Sequence, residues 1–150
     1  MKTAYNQDFY RWTQEQSAIL KSGRYAELDI EHLSEEIESM GKSEKRELVH
    51  RLSVLLAHLL KWQYQPTYRG ASWKLTVTEQ REQVIDVLDD NPSLRATLSE
   101  TRATQSETIV KAYRYAVLQA AKETGIGQES FPADCPYSIE QMLQENYLPE

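Results

Sequence analysis

Leu48, Leu52, Leu55, Leu59 and Trp62 recur at steps of four, three, four and three residues. A helix brings residues at those steps onto one face, so the run predicts a helix with an apolar stripe buried against neighbours. Five glycines and five prolines in 150 residues are too few for an all-β fold built on frequent turns. The rest of the chain parses the same way. Phe9, Trp12, Ala18, Ile19 and Leu20 outline a first amphipathic helix that stops at Gly23. A second helix is expected from Tyr25 or Leu28 to Met40, with Gly41 as its stop, and a third from Ser43 to Tyr64, ended by Pro66. Tyr68 to Ser72 reads as a loop. Thr76-x-x-Glu79 reads as a capping box opening a fourth helix, with Val84, Ile85, Val87 and Leu88 as its apolar side. Asn91-Pro92 has the form of an N-cap followed by proline at the first helical position. It predicts a fifth helix from Pro92 to about Lys122, with a thin stripe between Ser99 and Thr108 where a kink fits. Phe131 to Tyr137 is irregular, with two prolines, and Ser138-x-x-Gln141 caps a short last helix. The expected architecture is all-α: one domain over 1–150, a helical bundle of five to six helices with an irregular, proline-containing C-terminal segment.

Composition narrows the class of function. Apolar residues at 40% and charged residues at 27% belong to a globular chain rather than a disordered one. A chain of 150 residues buries roughly 68–70% of its unfolded surface on folding, enough for one core. A net charge of −6 argues against a protein dedicated to coating nucleic acid. Met1 to Trp12 has no apolar core of a signal peptide, and no segment offers the roughly 18 apolar residues that cross a bilayer. One cysteine, Cys135, permits no intrachain disulfide and no cysteine zinc site. The expectation is a soluble cytoplasmic protein with no membrane contact and no cofactor.

Chemistry-bearing residues crowd between Leu28 and Trp73. At 100° per residue, Ile30, Leu33, Ile37 and Met40 converge on one face of the second helix, and Glu31, Glu35 and Glu38 on nearly the opposite one. Those three acids read as a solvated face. Asp29, His32 and Glu36 form a row at the border of the apolar stripe, and Glu36 is the carboxylate expected to be partly buried. Arg51, His58 and Gln65 share one flank of the leucine stripe, with Lys61 just outside it. A tight turn at Gly41 would make the second and third helices antiparallel neighbours and bring Glu36 near Arg51 or His58. Glu36, His58 and Lys61 are therefore the candidate catalytic residues: a base, a switchable acid and an anion clamp. The competing reading is a plain interhelical ion pair. For metals, Glu47-x-x-His50 lacks the second copy a di-iron bundle needs, Asp29-x-x-His32 is a near miss, and HExxH is absent. No metal site is expected. From Lys61 to Lys74 three bases and four aromatics stand without an acid. Arg69, Trp73 and Lys74 are the candidate ligand-binding residues, a phosphate clamp beside a stacking ring. Trp62 and Trp73 read first as anchors packed for burial, the bases then standing in solvent. Cys135, with no base beside it in sequence, reads as a packed thiol.

Several blocks carry a resemblance: Glu35-Glu36-Ile37-Glu38 with Gly41, His58-Leu59-Leu60-Lys61-Trp62 with Gln65-Pro66, and Ser72-Trp73 followed by Thr76-Val77. Pro92-Ser93-Leu94 and Phe131-Pro132 with Cys135-Pro136-Tyr137 continue it. In this order they resemble the bacterial "domain of unknown function 29" family over nearly the whole chain. The resemblance implies a helical fold and a family frequent in cyanobacteria. It implies no activity, so no catalytic role is carried over, but Glu36, His58, Lys61, Trp62 and Trp73 fall in its signature blocks. Two function classes stay open. One is a helical protein that binds an unknown macromolecular partner or forms a homodimer through an apolar helix face, for which the thin stripe of the fifth helix and its Ala112, Ala116 and Ala120 are suited. The other is a small hydrolase or nuclease-like enzyme using Glu36, His58 and Lys61, with the basic-aromatic loop holding a phosphate. Nucleic acid is admitted as a partner but not favoured.

Overall fold

The computed structural model describes residues 4–99 and 105–150. All regular structure among them is helical: α1 (Phe9–Ser22), α2 (Ile30–Tyr64), α3 (Ala71–Asp90), α4 (Glu107–Thr124) and α5 (Ile139–Leu143), with short 3-10 turns between. The chain divides into two compact units, Met1–Ser43 and Glu44–Glu150.

In the first unit, Asp8 caps α1 by accepting from the Arg11 backbone N–H at 3.0 Å. Gly23 closes it in the left-handed region, φ 76°. Trp12, Gln16 and Ile19 are the residues α1 buries. The second unit holds a single apolar core. Leu48, Leu52, Leu55, Leu56, Leu59 and Leu60 of α2 meet Val77, Val84 and Leu88 of α3. Ile109, Ala112, Tyr113, Ala116 and Ala120 of α4 join them, with Phe131, Cys135, Tyr137 and Met142 of the C-terminal segment. The leucine stripe thus lies where its spacing puts it. The irregular stretch after α4 is pinned by side chains: Tyr113 donates to Pro132 O at 2.5 Å and Tyr137 to Gln63 Oε1 at 2.7 Å. At Ser138 both hydrogen bonds of the expected capping box form and open α5.

Three boundaries differ from the sequence expectation. Gly41 does not end a helix; α2 runs through it without a break. A glycine inside a helix costs only about 0.5–1 kcal/mol relative to alanine. The neighbouring Lys42, Lys45, Arg46 and Glu47 are good helix formers, and no proline interrupts residues 30–64. With no turn there, the antiparallel hairpin that grouped Glu36 with Arg51 and His58 is not formed. Thr76 is not a cap either. α3 begins at Ala71, after a 3-10 turn at Pro66–Tyr68, and the Thr76 hydroxyl donates back to Ser72 O at 2.9 Å. Finally, Asn91-Pro92 opens a seven-residue 3-10 helix (Pro92–Leu98), and Asn91 serves the end of α3 by donating from Nδ2 to Val87 O at 3.0 Å. α4 starts afresh at Glu107, its Ser106 hydroxyl accepting from Ile109 N–H at 3.2 Å. Part of the thin stripe expected there, residues 100–104, lies outside the described residues.

Two glycine substitutions separate these readings. Gly41→Ala is expected to raise stability by about 0.5–1 kcal/mol, since a Cβ there meets nothing within 4 Å and helix interiors favour alanine. Gly23→Ala is expected to cost about 1–2 kcal/mol, because its left-handed backbone crowds a Cβ. Urea midpoints of the two variants measure the signs, and a loss at Gly41 would contradict a continuous α2.

Candidate functional site

The first unit gathers its polar and aromatic side chains around the start of α2. Asp29 precedes the helix and accepts from the His32 backbone N–H at 3.4 Å through Oδ1. Its other oxygen, Oδ2, takes the Trp12 indole N–H at 3.0 Å and His32 Nδ1 at 2.8 Å. Gln16 Oε1 accepts the Asp29 backbone N–H at 2.9 Å. One carboxylate therefore joins α1, the helix start and an imidazole. Tyr5 stacks on the His32 ring, centroids 4.2 Å apart, and meets Trp12 edge-on at 4.9 Å. The Tyr5 hydroxyl donates to Glu36 Oε1. That bond to a carboxylate, with burial and the charges of Glu36 and Glu35, pushes the Tyr5 phenol up to about 12.

The Asp29 hydrogen bond raises the His32 pKa; burial opposes it, and the charges of Asp29, Glu35 and Glu31 add to it. The same bond holds the Asp29 carboxyl low, with help from Trp12 and against burial. The consequence for stability has a definite sign. His32 contributes fully below the ordinary imidazole value near 6.5, and its contribution is lost as pH rises through its raised folded value. Asp29 contributes fully above about 3.9 and loses its contribution as pH falls through its depressed one. The first unit is therefore expected to be most heat-stable between about pH 4 and 6.5. Its Tm should fall toward pH 8, and His32→Gln should flatten that alkaline fall. Thermal melts followed by tryptophan fluorescence test this, and a wild-type Tm that climbs from pH 6 to 8 would contradict it.

The same stretch of α2 presents its other surface to solvent. Ile30, Ile37 and Met40 are 65%, 67% and 66% exposed, with Leu33 half-buried between them. Glu31, Glu35 and Glu38 are exposed as well.

The second unit holds the basic-aromatic residues. Lys61, near the end of α2, pairs with Glu123 of α4 at 2.9 Å and lies over the Trp73 ring at 4.8 Å. Burial pushes the Glu123 carboxyl up, but the bond and charge of Lys61, with Gln119 and His58, outweigh it and hold the group low. Arg69 donates from Nε to Trp62 O at 2.7 Å, and its guanidinium lies 5.2 Å from the Trp62 ring centre. Trp73 sits in the first turn of α3 with Tyr68 beside it, centroids 6.5 Å apart. Lys74 is exposed.

The candidate residues thus fall into two groups. Glu36 lies in the first unit, held by Tyr5. His58 and Lys61 lie in the second, where His58 donates from Nδ1 to Val54 O at 2.9 Å and Lys61 is held by Glu123. Arg51, an expected partner of Glu36, pairs instead with Glu47 one helical turn away at 2.8 Å. Lys61 and Trp73 come together while Arg69 sits on Trp62, each cation already engaged within the protein. Cys135 is buried, with its thiol 3.6 Å from Tyr137 O. Among the described residues, no group of three or more His, Cys, Asp or Glu side chains could hold a metal ion. None of their helices is long and apolar enough to cross a membrane.

Sequence reading passed over three participants, Tyr5, Trp12 and Gln16. The row Asp29, His32 and Glu36 was legible, and aspartate just before an apolar-periodic run is a helix-start signal. Glu123 as the partner of Lys61, 62 residues away, left no local signal at all.

The family model described as Domain of unknown function DUF29 matches residues 4–148 of the chain. Comparison with curated proteins and with solved structures found no match.

Proposed function

The chain belongs to the DUF29 family, and from that premise we propose that it works by binding rather than by chemistry, docking a helix of a partner protein on the N-terminal part of α2. One observation carries this reading: Ile30, Ile37 and Met40 share one helix face yet lie largely in water, with Leu33 half-buried between them. Burying a side chain of that size contributes about 1.5–3 kcal/mol, so three left exposed on one face are a standing gain for whatever covers them. Their spacing of three, four and three residues is the seam spacing by which one helix packs on another. The cytoplasm, as the compartment, belongs to the same proposal.

The hydrolase reading has less behind it. Glu36, His58 and Lys61 each have a partner inside their own unit, and the turn that would have grouped them is absent. Arg69 on Trp62 and Lys61 on Trp73 serve equally well as packed cation–aromatic pairs, the second tying α2 to α3 and, through Glu123, to α4.

A position-resolved crosslinking experiment tests the proposal. A photoreactive residue is placed in turn at Ile37, Met40, Glu35 and Lys42 in the full chain, and the cells are irradiated. Discrete adducts are expected from Ile37 and Met40 and none from Glu35 and Lys42, which lie on the opposite side of the helix. Adducts of equal yield from all four, or from none, would overturn it.

A further inference from the structure

Resting on that docking reading, we infer that the partner is a basic amphipathic helix, an apolar seam flanked by lysine or arginine, and not a second copy of this chain. The argument is electrostatic. Residues 29–38 carry five carboxylates (Asp29, Glu31, Glu35, Glu36 and Glu38) and no lysine or arginine. By helical angle, Asp29 and Glu36 border the apolar face on one side, while Glu38 and Glu31 stand behind its other border. A helix lying on Ile30, Leu33, Ile37 and Met40 therefore has acidic groups directly at one flank, and two more set back beyond the other. Cations there gain attraction at close range, and a partner with acidic flanks is rejected. A second copy docking through the same face brings this acidic segment against itself, so like charges oppose its approach.

The border between the apolar face and Glu38 is made by Ser34 and Gly41. Neither carries a long side chain, and the space beside the Gly41 Cα is open to 4 Å. Separation between packed helices depends on the side chains at the contact, so a partner leaning to this side approaches closely. Its basic side chains on that side then reach Glu38 and Glu31. On the other side they meet Glu36 and Asp29, whose carboxylates are already fixed in place by Tyr5, Trp12 and His32. Fixed anions lose less entropy on pairing than free ones.

The test titrates the full chain with fluorescein-labelled synthetic 18-residue helical peptides sharing one leucine seam. They differ only in having lysine or glutamate at the flanking positions. The lysine peptide is expected to bind at least tenfold tighter than the glutamate peptide at low salt. The ratio should shrink toward 0.5 M salt, because exposed charges are screened over roughly 5 Å or less there. The Ile37→Ser/Met40→Ser chain should lose the lysine peptide, and Glu31→Gln/Glu38→Gln should weaken it several-fold while leaving the glutamate peptide no weaker. All four positions are exposed, and helical circular dichroism confirms that each variant is folded. Equal affinity for both peptides, abolished by Ile37→Ser/Met40→Ser, would overturn the basic partner but leave the docking face. Lysine-peptide binding indifferent to Ile37→Ser/Met40→Ser, or no binding of either peptide, would remove the docking face as well. Sedimentation showing a dimer that Ile37→Ser/Met40→Ser dissolves would make a second copy the occupant and overturn the inference.

Discussion

Arg81→Met is expected to lower the stability of the protein by about 3 kcal/mol or more. Arg81 is only 4% exposed and, among the described residues, its side chain bonds carbonyls and no carboxylate. Its guanidinium donates from Nε to Met142 O at 2.7 Å and from a terminal nitrogen to Tyr147 O at 2.9 Å. Met142 belongs to the last turn of α5, where the helix dipole is negative, so this cation stands where a helix end favours one. Burial lowers the Arg81 pKa, against the opposing influence of Tyr147, yet a guanidinium stays charged in proteins. A hydrogen bond to a charged group contributes about 1.5–3 kcal/mol, and methionine removes two while leaving two carbonyls short of a donor. Urea denaturation should show a lower midpoint with an unchanged slope. Arg81→Lys, whose single ammonium cannot span both carbonyls as the planar fork does, should fall between. A loss under about 1 kcal/mol in the methionine variant would mean that the C-terminal segment is held by its apolar contacts alone.

Trp12→Ala is expected to cost roughly 3–5 kcal/mol, the usual range for truncating a buried large aromatic. Trp12 is 2% exposed, and Tyr5 and Phe9 pack on its ring. It also supplies one of the two side-chain donors on Asp29 Oδ2. Trp12→Phe separates the two contributions. It keeps a ring but removes the indole N–H, and should cost about 1–2 kcal/mol. Amide exchange in α1 reads both losses. Equal costs for the two variants would show that the hydrogen bond matters more than the packing.

Helix content was legible wherever a residue's local chemistry leaves one outcome. The leucine spacing from Leu48 to Trp62 admits no other element, and at Ser138 the pairing with Gln141 is complete within four residues. Gly23, Gly41 and Gly125 look alike in sequence, yet only Gly23 and Gly125 take the left-handed conformation that ends a helix. The residues beyond each glycine make the difference. Helix-forming charged residues after Gly41 continue the hydrogen-bond ladder at small cost, whereas Arg24 and Ile126 begin new directions. Thr76 misled in a related way, because a threonine hydroxyl bonds the carbonyl one turn behind as readily as it caps. The candidate site was legible only in part for the same reason. Asp29, His32 and Glu36 are neighbours on one helix, so their row followed from periodicity. The partners that fix them, Tyr5 and Trp12, come from a different segment. Exposure of Ile30, Ile37 and Met40 was not visible in the sequence, since the same pattern serves a buried face and a docking face alike.

Cys135, the one cysteine of the chain, is enclosed in the core of the second unit between Gln105, whose side chain bonds its backbone N–H and C=O, and Tyr137. Its thiol therefore serves as a built-in clock. A thiol reagent supplied in excess reacts only when the segment around Cys135 swings away from α4, and the second-order rate divided by that of an unstructured cysteine gives the fraction of time spent open. One colorimetric trace would then time the opening of this segment with no label added to the protein.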